Sequence, residues 1–145
     1  MYLEVRFESF TESMGGHDPE DGWSRDSTET TNRVLSAHLK KDQSYQSIPM
    51  DFEVGKGDDV FIVWAEYTTG DSFGSDGGNV ELVLAFESYD KAEMCEKKIK
   101  EHYNNGDSYT LDLKSSSGKD ISFFVPWKGY FESLDCVNID KIMVQ

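Results

Sequence analysis

Apolar and polar residues alternate at the start of the chain, with Leu3, Val5 and Phe7 set against Glu4, Arg6 and Glu8. This two-residue period predicts a half-buried strand over residues 1–10. Residues 11–32 lose all period and collect Gly15, Gly16, Pro19 and Gly22 among many Ser and Thr, which reads as a long irregular loop. Residues 33–50 hold Val34, Leu35 and Leu39 around Arg33, Lys40 and Lys41, and fit a short helix or a strand equally well. The run VFIVWA at 60–65 is apolar throughout, β-branched and aromatic, as expected of a strand buried on both faces. TTGDSFGSDGGN at 68–79 carries four glycines and two aspartates and predicts a second loop, after which Val80, Leu82, Leu84 and Phe86 alternate again.

Ser88 is placed to cap a helix, with Asp90 in its first turn. Ala92, Cys95, Ile99 and Tyr103 then recur at three- and four-residue spacing until Asn104-Asn105-Gly106. The spacing predicts one amphipathic helix over about 89–104. Tyr109, Leu111 and Leu113 alternate once more, residues 115–120 turn, residues 121–125 form a partner strand ended by Pro126, and Val137 and Ile139 suggest an edge strand. Strands on both sides of a single helix predict an α+β domain, a mainly antiparallel β-sheet with one amphipathic helix packed on one face. At 145 residues, without an internal repeat or a linker, one domain over residues 1–145 is expected.

Composition adds charge to this picture. Twenty-eight Asp and Glu oppose fourteen Lys and Arg, a net charge of −14, and residues 42–90 hold eleven acids against one base, Lys56. An excess of this kind bears on partners and self-repulsion rather than on fold. Nine Phe, seven Tyr and three Trp argue for a folded core. Cys95 and Cys136 lack CxxC spacing, which points to two reduced, buried thiols and a cytoplasmic protein. Neither a basic-apolar leader nor a stretch of membrane-spanning length stands in the sequence, so a soluble chain is expected.

Few residues carry a chemical signature. The 68–79 segment lacks the lysine and following helix of a phosphate cradle. Asp71, Asp76, Asn79 and Glu81 are oxygen donors, but their spacing is not that of a calcium loop, and no metal or cofactor is expected. His17, His38 and His102 have no accompanying nucleophile motif, and His102 reads as a helix C-terminal residue, so no catalytic residue is assigned and no enzyme activity is expected. Asp58 and Asp59 suit a turn. Phe73 has no periodic partner and reads as a contact tip or a cover for a sheet edge. Trp127 and Tyr130, around Lys128, are residue types favoured as interface anchors, and Trp23 has the same two readings, core or interface. Direct nucleic-acid binding is disfavoured by the charge.

Three stretches, GWSRDST at 22–28, EYTTGDSFGSDGGNVE at 66–81 and WKGYFESL at 127–134, resemble segments of small bacteriophage and prophage accessory proteins. The resemblance implies a protein acting in the host cytoplasm, in a class that includes inhibitors of host defence such as anti-CRISPR proteins. It implies no catalytic residue. The expectation is therefore a non-enzymatic acidic protein that binds a basic host protein, as a nucleic-acid mimic, through Asp58, Asp59, Asp71, Phe73, Asp76, Trp127 and Tyr130. The alternative is a nucleotide-signal sponge, or an enzyme acting on such a signal, with the 68–79 loop as its pocket and Arg6, Arg25 and Arg33 for phosphate.

Overall fold

The computed structural model describes residues 1–18, 23–71, 74–106, 108–128 and 132–145. Two antiparallel ribbons dominate it. β1 (Tyr2–Asp18) pairs with β2 (Trp23–Lys40), and the short β3 (Ser47–Pro49) adds to the other side of β1, giving the order β2-β1-β3. β4 (Asp59–Asp71) lies between β5 (Gly74–Phe86) and β8 (Glu132–Met143) in a second sheet. Between them in the chain come α1 (Tyr89–Asn105), the hairpin of β6 (Thr110–Lys114) and β7 (Asp120–Phe124), and a 3-10 turn at Pro126–Lys128. The α+β architecture and the single helix on one face of an antiparallel sheet follow the sequence pattern.

The central strand is β4, and its two faces meet different partners. Even-numbered residues turn to the first sheet, where Trp64 meets the Phe7 ring edge-on at 5.1 Å. Odd-numbered residues turn to the helix, as in the contacts of Phe61 with Tyr89 and of Tyr67 with Trp127. Val60, Ile62, Val63, Trp64 and Ala65 are consequently all buried, which is why this segment has no polar alternation. The sheets are also joined at their margins. Val144 bridges to Ala37, the Gln145 amide donates to the Ala37 carbonyl at 3.0 Å, and β3 lies against β5.

Two segments expected to be loops are strand. Most of 11–32 belongs to the arms of the β1–β2 ribbon, and 68–71 and 74–79 belong to the paired β4 and β5, from Tyr67 with Asn79, through a bulge before Thr69, to Asp71 with Gly74. Polar Ser, Thr and Gly residues leave no hydrophobic period, yet a backbone ladder needs none. The open choice over 33–50 resolves as strand through Lys40 and again at β3. A bulge opposite Arg6 and Phe7 skips Leu35, leaving it exposed between buried Ser36 and half-buried Val34.

The helix obeys its local signals. Ser88 accepts from the Lys91 amide at 3.4 Å, Ala92, Cys95 and Ile99 form the buried stripe, and the Gly106 amide closes the end on the His102 carbonyl. Of the two free cysteines, Cys95 is buried as expected, whereas Cys136, expected to be buried, is exposed on β8 opposite Glu66, beside polar residues that bury no apolar surface against it.

Candidate functional site

The acids expected to form one face fall at opposite ends of a strand. Asp58 and Asp59 precede and begin β4, whereas Asp71 ends it, and twelve residue steps at ~3.3 Å separate Asp59 from Asp71 by about 40 Å. The first pair is structurally engaged. Asp58 Oδ2 accepts from the Gly55 amide at 2.7 Å, the Asp58 carbonyl holds the Val144 amide at 2.8 Å, and Asp59 lies 3.7 Å from Lys141 Nζ. They pin the C-terminal strand, as turn residues would.

The other end of the sheet is different. The register brings Glu132 and Asp76 to either side of Thr69, places Glu81 beside Ala65, and sets Glu66 beside Cys136. Thr68 Oγ1 donates to Asp135 Oδ2 at 2.6 Å. Glu66, Asp71, Asp76, Glu81, Glu132 and Asp135 thus share one end of three adjacent strands, and residues 66–81 and 132–140 contain no Lys or Arg. Asp71 and Asp76 are placed by their strands alone. Strand spacing of ~4.8 Å puts the flanking Asp76 and Glu132 backbones about 10 Å apart, within a Debye length at physiological salt.

Burial is the main influence on the acids at this end, with neighbouring charges adding to it at Glu66. Burial pushes the Glu66 carboxyl up and Asp135 adds to it, against a hydrogen bond from Asn32. Burial alone raises Glu81. Burial, followed by the charges of Glu81 and Glu132, raises the Tyr67 phenol. Asn32 holds the first ribbon to this end, accepting from Ser9 Oγ and donating to the Gly78 carbonyl at 3.0 Å.

Other expected site residues separate from it. Trp127 is not a surface anchor: it is 1% exposed, packed between Tyr67 and Phe123, because the 3-10 turn folds it under the sheet. Lys128 beside it is a helix cap, donating to the Tyr103 and Gly106 carbonyls at 3.0 and 2.5 Å, where a cation also complements the helix dipole. Phe73 and Tyr130 lie outside the described residues. The backbone of Trp23 begins β2.

Chemical alternatives find little support in the geometry. His38 Nε2 meets Ser36 Oγ at 3.1 Å, and Glu4 is its partner across β1, a grouping that only strand pairing reveals. The Glu4 carboxylate, however, is held by Ser44 Oγ at 2.9 Å and by Arg6 at 3.5 Å, so it does not orient the imidazole. Cys95 is pushed up to about 12 by burial and Cys136 is raised, chiefly by burial, so neither thiol is an activated nucleophile. Among the described residues no three His, Cys, Asp or Glu converge as metal ligands, and no helix is long and apolar enough to cross a membrane. Arg6 and Arg33, candidates for phosphate, are paired with Glu4 and Glu8. No protein-family model, curated protein or solved structure matches the chain.

Proposed function

We propose that the chain is a non-enzymatic, acidic binding protein that inhibits a basic, nucleic-acid-binding host protein, as phage-encoded inhibitors of host defence do, by offering carboxylates where that protein holds phosphates. The observation that supports this reading is the strand register that brings six acidic residues, without an intervening cation on their strands, to one end of the β5-β4-β8 sheet. Acidic residues set on paired strands have their backbones fixed before binding, which lowers the entropic cost of docking. Burial chiefly, and the Asp135 charge in smaller part, hold the Glu66 carboxyl up, and a cationic surface that docks here offsets that repulsion. Acids at the Asp58 end, already committed to the fold, are not part of the proposed surface.

The test is affinity capture from a bacterial lysate at low and high salt, followed by competition of the captured protein against DNA and RNA. The expected result is a basic protein retained at low salt, released at high salt and displaced from nucleic acid by the chain. Replacing Glu132 and Asp135 by Lys slows association at least about tenfold, in line with loss of electrostatic steering, while Asp59→Lys leaves the rate within about twofold. Capture that ignores salt, or that survives the Glu132/Asp135 reversal, overturns the reading.

A further inference from the structure

We propose that the depression between α1 and the β6–β7 turn is a binding site for a small amphipathic monocarboxylate, with one carboxylate on a short aliphatic or aromatic body. Lys91, Met94, Cys95 and Lys98 stand at i, i+3, i+4 and i+7 of α1 and so share one helical face. They look across to Phe86, at the end of β5, and to the turn that follows Lys114. The space between holds about 210 Å³. That is below the ~300–1,000 Å³ of sites for drug-sized ligands and limits the occupant to a single ring or a chain of a few carbons.

The site is formed before any ligand arrives. Ser116 ties the turn to the helix, its Oγ accepting from the Glu87 amide at 3.3 Å and its carbonyl accepting from Lys91 Nζ at 2.7 Å. The turn itself is closed by the Ser115 amide on the Lys119 carbonyl at 2.9 Å, and Gly118 supplies the positive φ of 90° it requires. Met94, 64% exposed, lies over the opening rather than in the core. A preformed apolar recess spares a ligand the cost of ordering its own walls.

Charge selects the ligand class. In a chain with twice as many acids as bases, this recess is lined by three lysines and by no carboxylate. Two other depressions run with the overall charge, one containing Glu53 and Asp58 and one containing Glu81. Lys91 is neutralised by Glu87 at 2.5 Å, and Lys114 pairs with Asp120. Among the described residues the Lys98 side chain makes no hydrogen bond and no direct ion pair; Asp120, already bridged to Lys114, feels its charge only at longer range, so the Lys98 donors are open to one anionic head group. Phe86, Met94 and the neutral Cys95 thiol face the apolar body. The site is distant in the fold from the acidic strand ends and stands independently of the proposed partner.

The experiment is a titration of the 15N-labelled full chain with hexanoate, with 1-hexanol and hexylamine as neutral and cationic counterparts. Saturable amide shifts confined to residues 86–98 and 114–118 are expected, with hexanoate binding about tenfold tighter than 1-hexanol, the gain of one charge-assisted hydrogen bond. Hexylamine is excluded. Lys98→Gln removes the preference for hexanoate while still binding 1-hexanol, which also shows that its recess is intact. Equal affinity for hexanoate and hexanol, shifts that map elsewhere or never saturate, or a Lys98→Gln variant that keeps the preference, each overturns the proposal.

Discussion

Ile62 is fully buried on the face of β4 that meets the first sheet, so truncating it removes apolar contacts and leaves a cavity that neither sheet can close. Ile62→Ala is expected to cost about 2–5 kcal/mol in a denaturant titration, and a near-neutral value would remove β4 from the centre of the core. Glu81 makes the opposite kind of prediction. Its folded carboxyl is raised by burial above the ordinary 4.5, so its contribution is most favourable below that pH and is lost as pH rises through the folded value. Glu81→Gln is therefore expected to raise Tm at pH 7 and to leave it unchanged below about pH 4, as thermal melts at the two pH values would register. Single residues were legible in sequence where one local feature decides them. Ser88, Ile62 and His102 stand as their neighbours in the chain suggest, whereas Trp127 and Lys128 do not, because the surface Trp127 covers and the carbonyls Lys128 caps come from distant segments.

At the level of elements, the helix ends carry their own tests. Ser88→Ala removes the side chain that accepts from the Lys91 amide and is expected to cost about 1 kcal/mol, read from the urea midpoint at unchanged m-value. Gly106 has an ordinary φ of −92°, so its role is close approach: a Cβ there would stand 2.8 Å from the His102 carbonyl oxygen and the His102 ring. Gly106→Ala should lower Tm more than Ala substitution at Gly55, where an added Cβ finds its nearest neighbour at 3.7 Å. The elements with a local pattern were readable from the chain: the alternating start of β1, end of β5 and β6, the apolar run of β4, the helical spacing of α1, and β7 ended by Pro126. The arms of the two long ribbons were not, since residues 11–32 and 68–79 have turn-rich polar composition, and those of them that are described owe their strand state to pairing with a partner across the ribbon.

For the whole molecule, a charge of −14 makes the folded state self-repulsive, most of all at the acidic end of β5-β4-β8. Raising NaCl from about 0.01 to 0.5 M shortens the Debye length from ~30 Å to well under 10 Å and is expected to raise Tm by several degrees. A Tm that falls with salt would show that the surface ion pairs, such as those of Lys91 and Lys100 on α1, outweigh the repulsion. By itself the sequence determined the size of the charge excess, the β4 core strand, the amphipathic helix and the α+β class, because each is written in composition or in the short-range period of neighbouring residues. Only the tertiary structure decided where the charge collects. Strand register moved Glu132 and Asp135 beside the acids of β4 and β5 and sent Asp58 and Asp59 to the far end, and helix packing gathered three lysines around one recess. Register and packing join residues tens of positions apart, and no pattern within one stretch of chain encodes that distance.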